Sequence, residues 1–232
     1  MIFMNIASSY KILSYPINEI SPMYGSAPPP TFKPYSQIVK GDTSNSLIIS
    51  IHNNTGTHID APKHFIDNGK SISDYLMDEL VFRNPVINYC KKESAELILP
   101  DDLKEASNIL EQSDCLLLCT GYARFRNEEK YRTHNPGIAP ETILWLRSKY
   151  HGIRCIGIDC ISISSFQHRE KGREAHKAAF IDRIGLGNPL LLIEDLNLEI
   201  LESNEVVKKI IIIPWQIVGI DSSPCIVWAE VV

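Results

Sequence analysis

Apolar residues fall in short runs separated by turn formers, and these runs set the predicted elements. Ser46-Leu-Ile-Ile-Ser-Ile-His52 reads as a buried strand. Ser73 to Leu80 suits a short helix, and Val81 to Cys90 a further strand. Pro100 followed by Asp101 and Asp102 marks a helix start, with acids in the first turn, that runs to about Glu111. Beyond it the alternation becomes regular. Cys115 to Thr120 is a strand, Pro140 opens a helix that ends near Gly152, and Arg154 to Asp159 is again an apolar strand. Gly172 to Ile181 reads as helical and Leu190 to Glu194 as a strand. Lys209 to Ile220 and Pro224 to Val231 read as two strands joined by the Asp221-Ser-Ser turn.

Strands alternating with helices predict an α/β fold, and the paired strands toward the ends add an antiparallel part. With no internal repeat or linker, residues 1–232 are expected to form one domain: a mixed sheet with flanking helices. Residues 1–40 differ from the rest. They carry Pro16, Pro22, Pro28, Pro29, Pro30 and Pro34, and read as a short strand near Ile12 to Tyr15 followed by an irregular arm. Tyr10, Tyr15, Tyr24, Phe32 and Tyr35 lie in the same stretch, and aromatics in that number predict packing against a surface.

Composition narrows the function class. The net charge of −5 and the lack of a basic cluster exclude nucleic acid as the main partner. A hydrophobic content of 44% is enough to bury a core, which excludes a disordered chain. Met1-Ile-Phe-Met-Asn5 has neither a basic leader nor a long apolar stretch, so no secretory signal is expected. The longest apolar runs, such as Ile210 to Trp215, fall far short of the ~20 residues of a membrane span. The six cysteines form no C-x-x-C pair and lie mostly in apolar stretches, which predicts buried, reduced thiols and a cytoplasmic protein.

The seven histidines carry the candidate chemistry. His52, His58 and His64 recur at even spacing around Asn53-Asn-Thr-Gly-Thr-His-Ile-Asp-Ala-Pro62. On an extended chain residues two apart share a face, so Asn54, His58 and Asp60 point the same way. Imidazole nitrogen beside carboxylate oxygen suits Zn²⁺, Mn²⁺ or Fe²⁺. The alternative is a polar, turn-rich loop whose histidines are hydrogen-bonded surface groups; three metal-binding side chains, His58, Asp60 and His64, within seven residues favour the site.

Thr55-Gly-Thr-His-Ile-Asp-Ala-Pro-Lys-His64 closely resembles the signature H-x-G-T-H-x-D-x-P-x-H of the metal-dependent cyclase and hydrolase family that includes bacterial kynurenine formamidase and isatin hydrolase. The likeness continues in Asn135-Pro-Gly-Ile-Ala-Pro140, Gly157-Ile-Asp159 with Ser162, Glu174-Ala-His176, Leu191-Leu-Ile-Glu194 and the turn from Gly219 to Pro224. The resemblance implies a swivelling β/β/α-like fold and a hydrolase of an amide, such as an arylformamide or a cyclic amide. A cyclase, dehydratase or lactonase of the same family is the alternative within it, and a non-catalytic binding protein with a degenerate metal site the alternative outside it. It implies one or two divalent ions, Zn²⁺ or Mn²⁺, held by His58, Asp60, His176 and Glu194, with Asn54 as a weaker amide ligand. His64 would move the proton, and Tyr24 stands where formamidases have a substrate-contacting tryptophan. It also implies a small-molecule substrate and a homodimer or homotetramer in which the N-terminal arm contacts a neighbour.

Two departures accompany the match. Asn54 stands where the family has its first histidine, with His52 as a substitute only after a change of register. Ile184-Gly-Leu-Gly-Asn-Pro189 reads as an extra loop between His176 and Glu194. Thr57 and Gly56 are expected to shape the turn before His58, and His134, His151 and His168 to be ordinary. Arg124 and Arg126 admit both an anion-binding and an ordinary surface reading.

Overall fold

A computed structural model describes residues 9–202 and 204–232. The Met1 to Asn5 stretch lies outside them. In chain order the strands are β1 (Ser9–Ile12), β2 (Thr31–Ser36), β3 (Ser46–Ser50), β4 (His58–Asp60), β5 (Val81–Phe82), β6 (Pro85–Tyr89), β7 (Leu97–Ile98), β8 (Cys115–Cys119), β9 (Gly137–Ile138), β10 (Cys155–Ile158), β11 (Leu191–Glu194), β12 (Val207–Pro214) and β13 (Ser222–Val231). The α-helices are α1 (Ser107–Leu110), α2 (Glu129–Thr133), α3 (Pro140–Lys149) and α4 (Arg169–Phe180).

One large mixed sheet has the order β5-β12-β13-β4-β11-β10-β8-β6, with β1 added to β13. Its two halves differ in direction. β6, β8, β10 and β11 run parallel, whereas β12 and β13 form a long antiparallel pair. The three-residue strand β4 is the seam between them, antiparallel to β11 on one side and to β13 on the other. This is the α/β mixed sheet with flanking helices that the alternation predicts.

The sheet separates two cores. Leu116, Leu118, Ile156, Ile158 and Leu192 face a core completed by Ile143 and Leu146 of α3 and Ala175 and Phe180 of α4. Their neighbours Cys115, Leu117, Cys155, Leu191 and Ile193 face the other core, with Ile59, Ile210, Ile212, Val227 and Ala229. A strand sends alternate side chains to opposite faces, so an unbroken apolar run is what a doubly covered strand requires. Pro140 sits in the first turn of α3, where its missing N–H costs nothing. Arg147 near the far end is buried, and its guanidinium donates to the carbonyls of Ala178 (2.6 Å), Ile181 (2.8 Å) and Gly187 (2.6 Å), tying the extra 184–189 loop to both helices.

Four expectations need correction. Ser46 to His52 is not a buried strand: β3 pairs only with β2, in a two-stranded hairpin outside the main sheet, and Leu47, Ile48 and Ile49 are all more than half exposed. An apolar run states that a surface wants cover, not where the cover comes from. Val81 to Cys90 is two strands, β5 and β6, which lie at opposite ends of the sheet order. The chain breaks where the Arg83 and Asn84 amides donate to the Asp114 carboxylate at 2.8 and 3.0 Å, so neither N–H is free for a ladder. The Pro100 helix is a 3₁₀ stretch to Ala106 before α1, and the predicted Ile12 to Tyr15 strand lies earlier, as β1. Beyond β1, Leu13 is fully buried, so the start of the supposed arm belongs to the core.

Candidate metal centre

The ladder around β4 builds the centre. His58 lies opposite Glu194 of β11, and Asp60 opposite Leu192, so His58, Asp60 and Glu194 emerge on the face that packs against α4. Ile59 and Ile193, between them, go to the other core. Helix α4 then brings His176 over the same spot. Its approach depends on Gly172: a Cβ there would run into the side chain of Ser164, nearer than any real contact. Before β4, the chain reverses at Gly56 (φ +64°), so residues 54–58 are not the extended segment that the even spacing suggested.

All four residues are at least 96% buried. His58 Nε2 is 3.2 Å from Glu194 Oε2 and 3.8 Å from Asp60 Oδ1. His176 Nε2 is 3.4 Å from Glu194 Oε1 and 3.9 Å from Asp60 Oδ2. The other ring nitrogens are engaged: His58 Nδ1–H donates to Gly56 O (2.8 Å) and His176 Nδ1–H to Gly172 O (2.9 Å). A carbonyl only accepts, so in each neutral ring the lone pair is at Nε2, aimed at the carboxylates. Glu194 Oε1 also accepts from Ser162 Oγ (2.9 Å) and the Ile163 amide (2.7 Å).

Charge explains why this cluster wants a cation. Burial alone would favour a neutral His58, yet Asp60 and Glu194 outweigh it and push the ring pKa up to about 9. Glu194 is held well below the usual carboxylate range by both imidazoles, against its own desolvation. A positive charge therefore belongs between these groups, as a proton on imidazole or as a metal ion. The hydrogen-bond balance favours the ion: His58 Nε2 and Asp60 Oδ2 are buried with no hydrogen-bond partner. His58, Asp60 and Glu194 each offer one ligand atom, all within 4.8 Å of one another. One nitrogen and two anionic oxygens fit a divalent ion of the zinc or manganese kind.

The remaining predicted residues line one cavity of about 410 Å³ with His58, His176 and Glu194. Asn54 donates through Nδ2 to Asp60 Oδ1 (3.2 Å) and Ser222 Oγ (3.1 Å). His52 is exposed at the cavity wall and lies outside the His58–Asp60–Glu194 cluster. Tyr24 is half-buried, its hydroxyl pKa pushed up to about 12 by burial and by Glu194. His64 faces the cavity with its Nδ1 2.6 Å from Asp221 Oδ2, and Asn53 Nδ2 donates to Asp221 Oδ1 at 3.0 Å. Desolvation works against a charged His64 ring, but Asp60 and Asp221 raise its pKa.

Sequence reasoning missed Asp221 as the partner of His64. It lies 157 residues along the chain, and only the sheet brings the β13 turn to β4. The part that Asp195 plays beneath Glu194 was also missed. Thr57 Oγ1 donates to Asp195 O (2.6 Å), and the buried Asp195 takes a two-pronged grip from Arg126 and a hydrogen bond from Tyr131 (2.6 Å). Arg126 is thus neither an anion site nor an ordinary surface residue. Arg124 is exposed and donates to Gly121 O.

Comparison with known proteins decides the family. Residues 12–165 match the Cyclase family, and an uncharacterised protein of Haemophilus influenzae is 33% identical over 116 residues, 49% of this chain and 82% of that protein. The chain belongs to the Cyclase family. Among solved structures, isatin hydrolase A from Labrenzia aggregata, bound to benzyl benzoate, superposes with a TM-score of 0.79 at 22% identity, covering 96% of this chain and 93% of that one. A predicted metal-dependent hydrolase from Bacillus stearothermophilus gives 0.67 at 21% identity, covering 97% and 98%. These likenesses establish a cyclase-family fold of the isatin hydrolase kind. No helix of the described residues is long and apolar enough to cross a membrane, and all six cysteines are free.

Proposed function

We propose that this protein is a metal-dependent hydrolase of an amide carbon–nitrogen bond, in an arylformamide such as N-formylkynurenine or in a cyclic amide. The observation that carries the reading is the pair of partnerless buried atoms, His58 Nε2 and Asp60 Oδ2, set between Glu194 and His176. Atoms of this kind cost free energy unless a ligand completes them, which argues against a non-catalytic protein with a decayed site.

His58, Asp60 and Glu194 would hold one ion, and His176 with the same two carboxylates a second. Asn54 takes the place of the family's first histidine. Both of its amide hydrogens are spent on Asp60 and Ser222, which leaves the amide oxygen as its ligand atom. A bound divalent ion lowers the pKa of a coordinated water toward about 7 and polarises a carbonyl. The chain supplies the proton. Asp221 fixes His64 with Nδ1–H toward the carboxylate, so Nε2 is the end that exchanges protons with the substrate. An amide nitrogen leaves poorly, and His64 donating to it as the bond breaks is the step where general-acid help counts most. Tyr24, Phe65 and Ile161 form the wall against which the acyl or aryl part rests.

We also assign the exposed β2–β3 hairpin to the interface of a homodimer or homotetramer, because a two-stranded hairpin is marginal alone and this one has aliphatic side chains on both faces. The test of the enzyme reading is metal analysis of protein purified without chelator, with hydrolysis of N-formylkynurenine, isatin and simple lactones before and after stripping. Amide turnover that disappears with the metal and returns with Zn²⁺ or Mn²⁺ is the expected result; a protein that binds neither ion at micromolar concentration is no metallohydrolase.

A further inference from the structure

Two cavity-lining side chains have no part in the metal cluster or in the His64–Asp221 pair. Arg169 and Arg173 stand one turn apart on α4, and His176 follows on the same side. His176 is buried against the carboxylates, whereas both arginines are exposed, so this side of α4 runs from solvent to the metal cluster.

Neither guanidinium lies within ion-pair distance of a carboxylate among the described residues. Arg169 lies over the Phe166 ring at 4.0 Å, and Phe166 stands edge-on to Tyr24 at 5.7 Å between centroids. A guanidinium stacked on a ring keeps its in-plane N–H edge free for a planar oxyanion. Both arginines also pull the Tyr24 hydroxyl pKa down, against the rise from burial, which places their charge within reach of the cavity wall. The charge balance points the same way. A divalent ion held there would neutralise Asp60 and Glu194, and Arg169 and Arg173 would then give the cavity a positive excess within a chain of net charge −5. Between them the lining includes Met23, Phe65 and Ile161, which suit an apolar body.

We propose that Arg169 and Arg173 select a substrate that carries a carboxylate remote from the bond to be cleaved, joined to it by an apolar or aryl body. This rests on the hydrolase reading above and names its substrate class. The arginines are specificity residues: they hold the anion and take no part in bond cleavage.

The test compares uncharged formanilide with the three isomeric formamidobenzoates on metal-loaded protein, in the wild type and in Arg169→Gln, Arg173→Gln, Arg173→Lys and the Gln/Gln double variant. Both positions are exposed, so these substitutions leave the fold intact. At least one isomer is expected to exceed formanilide about tenfold or more in kcat/KM, mainly through KM. In the double variant that ratio falls toward one, while Arg173→Lys keeps part of it. No isomer above formanilide, or an advantage that survives the double substitution, overturns the inference and leaves the hydrolase reading standing. If none of the four compounds is cleaved, the arylformamidase reading fails, and the anion site is read by calorimetry with benzenesulfonate, a weak metal ligand. Binding that weakens about tenfold or more in the double variant supports the site. Absent or unchanged binding overturns it.

Discussion

Strand β4 and strand β3 invert the usual rule in opposite directions. Every residue of β4 is buried, yet two of its three side chains are His58 and Asp60. All five residues of β3 are exposed, yet its centre is Leu47, Ile48 and Ile49. Apolar surface in water and polar groups in a core both cost free energy, so each strand marks something its own chain leaves unfilled. At β4 the gap has the size and sign of a cation, because the orphaned atoms are a ring nitrogen and a carboxylate oxygen. At β3 the cover we propose is the surface of a second copy. The lesson is that a misplaced residue type identifies its missing partner by chemistry, whereas conventional burial identifies nothing.

The comparison breaks most decisively at Asp60. In Asp60→Ala we expect bound metal to fall to background by emission spectroscopy and turnover to drop by more than about a hundredfold. The rise in Tm that Zn²⁺ or Mn²⁺ gives the wild type, worth about 2.7 kcal/mol at a hundredfold excess over Kd, should vanish as well. Full metal retention would mean that β4 is polar for another reason.

The packed interior at the parallel end of the sheet, where β6 and β8 end, can be probed through its thiols. Cys90 is buried, and burial pushes its pKa up to about 11; Cys119 is pushed up to about 12 by burial and by the Asp159 charge. A raised thiol pKa keeps the thiolate scarce below it, so alkylation by iodoacetamide at pH 8 is suppressed and climbs steadily with pH. Two units cut the thiolate about a hundredfold, and higher nucleophilicity returns about tenfold, leaving a net slowing of about tenfold before access is counted. Alkylation as fast as in urea-unfolded protein would show that the interior is open.

Gly172→Ala tests the contact that seats His176. Alanine gains up to about 1 kcal/mol of helix propensity over glycine, but its Cβ meets the Ser164 side chain and two buried segments would have to part. Overpacking of this kind costs about 1–3 kcal/mol, so the clash wins. Thermal unfolding should show the loss, and metal stoichiometry should show His176 drawn away from Asp60 and Glu194.

Much of this was legible in the sequence. Where a run was buried on both faces, as in β8, β10 and β11, or opened by its own proline, as in α3, the predicted and observed ends nearly coincide. His58 and Asp60 were legible because two alternate positions of one short strand must share a face. His176 and Glu194 had no local signal and came from the family resemblance alone. What stayed hidden depends on distant chain: Asp114 breaking the strand at Arg83 and Asn84, 31 and 30 residues away, Asp221 meeting His64, and Asp195 burying Arg126. The hairpin was misread because β3 and β8 look alike as text, and only their surroundings differ.

The hairpin supplies the smallest expected change in protomer stability and the clearest contrast with β4. Ile48→Asp puts a charge on a side chain that is 56% exposed and touches no core cluster. Such a surface change alters protomer stability by no more than about 0.5 kcal/mol, and metal content and turnover at saturating substrate should stay with the wild type. Assembly should not. If a second copy covers Leu47, Ile48 and Ile49, desolvating the new carboxylate at that interface costs far more than the lost methyl groups, and light scattering should show protomers where the wild type shows dimers or tetramers. A wild type already monomeric at micromolar concentration would sever the parallel with β4, because the exposed aliphatics would then lack a partner that the buried carboxylates still demand.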